Sequence, residues 1–92
     1  MDVRWTRSAT RHRIGRERSG YVVRNPVVHL VDPATETSPE QDDRHVFLGC
    51  DADGIALEVM AVETEAGFLI IHAMLIRAKY LSYLEGATDE QA

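Results

Sequence analysis

Ninety-two residues make one domain, and a chain this short buries only about 60–65% of the surface it exposes when unfolded, so its core is thin and a partner or second copy would add stability. No apolar run approaches the roughly 18 residues of a membrane span, and no apolar stretch of the signal-peptide kind follows the basic start, so a cytoplasmic location is expected. The formal charge of −5 is uneven, with residues 1–24 at +5 and the remainder at −10; the acidic total disfavours non-specific coating of nucleic acid, whereas the basic segment can meet phosphates or an acidic partner locally.

Val3 to Trp5 forms a very short strand in this reading, and Thr6 is placed to cap a helical turn over Arg7 to Arg13. Gly15 opens a second helix from about Arg16 to Arg24, and Asn25-Pro26 stops it, because proline disfavours helical geometry in the residue before it. Gly20 inside that helix signals either close backbone packing or a weak element. Val27 to Val31 reads as a strand, and the acidic stretch from Asp32 to Asp43 as an exposed loop.

His45 to Cys50 and Ile55 to Glu63 flank the polar connector Asp51-Ala52-Asp53-Gly54, which predicts an antiparallel hairpin. Ile55, Leu57, Val59 and Ala61 share one face of its second strand, with Glu58 and Met60 on the other. A turn at Glu65-Ala66-Gly67 leads to a strand over Phe68 to Ala73, apolar enough to be central and covered on both faces. Arg77 to Leu84 is the last helix, with Tyr80, Tyr83 and Leu84 in one arc toward the sheet, Gly86 as its stop and residues 87–92 as a frayed tail. The fold class is therefore α+β: two short N-terminal helices, a four-stranded antiparallel sheet and a C-terminal helix, in one domain over 1–92 without repeats.

Cys50, the only cysteine, excludes an internal disulfide and a cysteine-rich zinc site, and its place at the end of an apolar run suits a buried thiol. His12, His29, His45 and His72 lack the short spacing of metal ligands, so neither a metal nor another cofactor is expected. The chain carries no Gly-x-Ser-x-Gly elbow and no glycine-rich phosphate loop.

Trp5-Thr6, Arg11-His12, Ile14-Gly15-Arg16-Glu17 and Arg24-Asn25-Pro26, then the hairpin and the strand Ile70-Ile71-His72-Ala73 leading into a basic-aromatic helix, resemble BrnT-like toxins of the RelE superfamily over about residues 3–86. The resemblance implies a bacterial toxin of a type II toxin–antitoxin module, held inactive by a cognate antitoxin, and a ribonuclease that cleaves RNA without a metal. In such cleavage the RNA 2′-hydroxyl attacks the adjacent phosphate while basic side chains and a general acid or base stabilise the developing charges. Whether that RNA is free or ribosome-associated is open at the level of sequence. BrnT proteins usually carry Arg-Lys just after the last strand, where this chain has Met74-Leu75.

The catalytic candidates are His72, Arg77 and Lys79, and the substrate-binding candidates Arg11, His12, Arg13, Tyr80 and Tyr83. An imidazole suits proton transfer near neutral pH, and a tyrosine beside a cation suits stacking a base while the cation holds its phosphate. Each has a structural alternative: His72 as a core histidine, His12 as packing between helices, and both tyrosines as cover for the sheet. On an ideal helix Arg77 and Lys79 point about 160° apart, so they address one phosphate only if Arg77 precedes the first turn. The rival reading is a non-catalytic interaction module, or a homodimer, that keeps the fold without the cations.

Overall fold

The computed structural model describes residues 2–32 and 43–91. The chain is α+β, in the order β1 (Asp2–Trp5), a 3-10 helix (Arg7–Thr10), α1 (Arg16–Arg24), β2 (Val28–Asp32), β3 (Arg44–Cys50), β4 (Ala56–Glu63), β5 (Gly67–Leu75) and α2 (Ala78–Gln91). The acidic stretch expected as a loop falls, over residues 33–42, outside the described residues.

The sheet has five strands rather than four and is mixed, in the order β1-β5-β4-β3-β2. β2 to β5 are antiparallel neighbours, and β1 adds to β5 in parallel, Val3 facing Phe68 and Trp5 facing Ile70. A parallel neighbour arrives by a long connection, so nothing local to the first residues announces their partner. The central strand is β4, not β5; its residues from Leu57 to Ala61 are all buried. The alternation predicted for it holds from Leu57 onward: Leu57, Val59 and Ala61 join the core under α1, and Met60 joins the core under α2, whereas Ile55 lies before the strand and is exposed.

The first helix is shorter and tighter than expected. It is a single 3-10 segment ending at Thr10, and Arg13 beyond it takes a positive φ of 65°. Thr6 supplies no side-chain cap; its hydroxyl meets Ser8 Oγ and donates to the Ile70 carbonyl at 3.3 Å, tying the segment to β5. α1 ends as predicted, with the Asn25 backbone N–H and Nδ2 both donating to the Tyr21 carbonyl. Trp5 lies against Gly20, which accounts for a glycine in mid-helix, and its indole N–H donates to the buried Ser19 hydroxyl at 2.8 Å. Asp51 holds the β3–β4 turn: Oδ1 accepts from the backbone of Asp53 and Ile55, and Oδ2 from Arg18 at 2.8 Å.

α2 runs from Ala78 through Gly86 to Gln91, so Gly86 does not stop it and Arg77 lies just outside it. Leu84 is buried and Tyr80 packs on the sheet, but Tyr83 is 53% exposed, at the margin of the arc rather than within it.

Gly67 adopts a φ of +153°, and a Cβ there would overlap the Asp2 carbonyl oxygen. Gly67→Ala is expected to cost more than about 1 kcal/mol and to loosen β1 first, read by urea denaturation and by faster amide exchange in Asp2–Trp5 than in β3–β4; equal stability would show that β1 does not rest on this close approach.

Candidate functional site

The site begins with an irregularity in β5. Met60 pairs with His72 while the next residue, Ala61, pairs with Ile70, so Ile71 is an extra residue in β5, a β-bulge. A regular strand would send Ile71 and His72 to opposite faces; here both line one groove on the α2 side, between Ile70 and Ala73 of the opposite core.

Glu58 of β4 lies on that same side with none of its side chain exposed. An unpaired buried carboxylate is costly, and Arg77 matches it. The Arg77 guanidinium donates through Nε to both carboxylate oxygens at 2.9 and 3.0 Å and through Nη2 to Oε2 at 2.7 Å, while its backbone N–H donates to Oε1 at 2.8 Å. The Arg77 carbonyl in turn accepts from Tyr80 and Leu81. One carboxylate thus sets both where α2 starts and where the guanidinium points.

His72 completes the cluster. Its Nε2 lies 3.4 Å from Glu58 Oε2, is buried and has no hydrogen-bond partner among the described residues. A negative charge beside Nε2 favours the tautomer with the proton on that nitrogen, which leaves the lone pair on Nδ1. Burial lowers the His72 pKa; Glu58 pulls it back up, but Arg77 and His12 add to the lowering, and the net shift is downward, so the imidazole is neutral at pH 7. Burial by itself would raise the Glu58 pKa, but the hydrogen bonds and charge of Arg77, with His72, outweigh it and hold the carboxyl below its usual value.

The open groove around these groups measures about 390 Å³ and is lined by Arg44, Val46, Met60, Ile71, His72, Arg77, Lys79 and Tyr80. The Tyr80 ring has the Lys79 ammonium 4.8 Å from its centroid and the Arg77 guanidinium at 5.8 Å. Because Arg77 precedes the helix, the 160° divergence expected of an ideal helix does not apply, and both cations reach one concavity.

All three catalytic candidates, His72, Arg77 and Lys79, therefore converge, with Tyr80. His12, from the chain after the 3-10 helix, meets His72 edge to face with ring centroids 5.5 Å apart. Arg11 and Arg13 are exposed, and they, His12 and Tyr83 are not among the residues that line the groove. Of the residues that sequence reasoning passed over, Arg44 lines the groove and Glu58 organises it; the available signal was a single charge inside Ala56-Leu57-Glu58-Val59-Met60, where every neighbour is apolar. The other two histidines also pair: His29 Nε2 and His45 Nδ1 are 2.8 Å apart, and the His29 ring stacks on Phe47.

No family model, curated protein or solved structure matches this chain, so the chemistry of the groove is read from its own residues. No helix among the described residues is long and apolar enough to cross a membrane.

Glu58→Gln keeps the side-chain shape and removes the charge. It is expected to destabilise the fold by about 1–3 kcal/mol at pH 7 in urea denaturation. The folded-state pKa of Glu58 is depressed, so this contribution is complete above the unfolded value of roughly 4.3 and is lost as pH falls through the lower folded value; a wild-type advantage that stays constant through that acid range would contradict the assignment.

Proposed function

We propose that the chain is the toxin of a type II toxin–antitoxin module and a metal-independent endoribonuclease, with the groove between β5 and the start of α2 as its RNA-binding site. The observation that carries this reading is the convergence of the His72 imidazole with Lys79, Arg77 and Tyr80 in a single groove, where burial favours the neutral form of the ring. Lys79 offers its charge to a phosphate, Tyr80 offers a ring to a base, and His72 accepts the proton of the attacking 2′-hydroxyl. Arg77 has two of its guanidinium nitrogens on Glu58, so its part is chiefly to position the groove, with Nη1 left toward a phosphate. Arg11 and Arg13 would extend contact to RNA outside the groove, and the cognate antitoxin would cover it.

A second reading has a specific observation behind it. The bidentate pairing neutralises much of the Arg77 charge, and the positions at which the BrnT pattern carries Arg-Lys hold Met74, half-buried opposite Glu58, and Leu75, 56% exposed. A groove that lacks this Arg-Lys pair, and whose Arg77 is already paired, suits a non-catalytic interaction module or a homodimer.

Incubation of the purified protein with RNA separates the two. The enzyme leaves 2′,3′-cyclic phosphate ends; His72→Ala lowers the rate by about 10²–10⁴-fold and Lys79→Ala by about tenfold. In cells, expression without an antitoxin arrests growth and the double variant His72→Ala, Arg77→Ala relieves the arrest. Intact RNA at high protein concentration decides for the interaction module.

A further inference from the structure

We infer that His12 is a second proton-transfer group of this site, delivering a proton to the leaving 5′-oxygen while His72 takes the proton of the 2′-hydroxyl; this rests on the reading of the groove as an RNA-cleaving site. The two imidazoles come from opposite ends of the chain, yet their rings meet edge to face at 5.5 Å, close enough to reach one phosphate. His12 is exposed, so packing alone does not require the contact. Its backbone is also held: the segment before it is tied to β5 by the Thr6 N–H and hydroxyl, both donating to the Ile70 carbonyl, and Arg13 just after it turns the chain with a positive φ of 65°.

The chemistry needs two groups. Attack by O2′ requires a base and departure of O5′ requires an acid. Glu58 of β4 faces Nε2 of His72, which leaves Nδ1 for the substrate; Arg77, ahead of α2, and His12 also act on its charge, and Arg44 of β3 with Lys79 and Tyr80 of α2 line the same groove. With His72 neutral and His12 as imidazolium, the O2′–H proton passes to His72 Nδ1, the O2′–P bond forms as P–O5′ breaks, and O5′ takes the imidazolium proton of His12, leaving His72 charged and His12 neutral. The products are a 2′,3′-cyclic phosphate and a 5′-hydroxyl, and exchange with water restores both imidazoles.

The test compares His12→Ala with wild type on two RNA oligonucleotides that differ at one linkage, an ordinary phosphodiester and one whose bridging 5′-oxygen is replaced by sulfur, since a thiolate leaves without a proton. The variant is expected to slow the ordinary substrate by about 100-fold or more and the sulfur substrate by no more than about threefold, whereas His72→Ala slows both. Thermal unfolding of His12→Ala should match wild type, as befits a surface side chain. If wild type cleaves both substrates and His12→Ala slows them equally, or slows neither, His12 is not the acid and the RNA-cleaving reading survives. If wild type cleaves neither, that reading is overturned and this inference with it.

Discussion

The carboxylate of Glu58 sits in the middle of the central strand with no access to water, and much of the surrounding arrangement follows from the need to match it. A buried anion is tolerated when its charge is opposed and its lone pairs are occupied. Arg77 does both, with guanidinium and backbone donors on the two oxygens. The side chain is anchored at one point and its main chain at another, so the turn from β5 into α2 has little freedom. Lys79 and Tyr80 inherit their positions from that turn, and His72 lies with Nε2 3.4 Å from the same carboxylate.

Such a pair adds less to stability than its short distances suggest, because desolvation offsets much of the attraction. Its value is geometric. With Glu58 matched, the groove holds a histidine that burial, Arg77 and His12 shift toward its neutral form, beside a tyrosine ring with two cationic groups 4.8 and 5.8 Å from its centre. The bulge at Ile71 performs a comparable service at the strand level, turning His72 into the groove while Ile70 and Ala73 stay in the opposite core.

Local patterns in the sequence were good guides wherever the structure is local. The hairpin around Asp51–Gly54, the alternation along β4 and the Asn25-Pro26 stop all depend on neighbours in the chain, and each is found. The sequence was silent where the partner is distant. The parallel pairing of β1 with β5 joins opposite ends of the chain and has no short-range signature. Helix ends misled for another reason: Gly86 is a frequent stop but not an obligatory one, and the helix continues past it to Gln91. His72, Arg77, Lys79 and Tyr80 were legible as chemistry, yet Glu58 escaped notice because a glutamate in an alternating strand reads as solvent-facing until a second layer, here α2, is known to cover that face.

The cluster sets two properties of His72: burial, with Arg77 and His12, favours its neutral form at pH 7 against the pull of Glu58, and Glu58 draws its proton to Nε2. Nitrogen-15 spectra of the imidazoles, followed through a pH titration, measure this directly. His72 is expected to be in the Nε2–H tautomer at pH 7 and to titrate below the ordinary histidine value of about 6.5. A protonated ring at pH 7, or a neutral ring carrying its proton on Nδ1, would contradict this expectation.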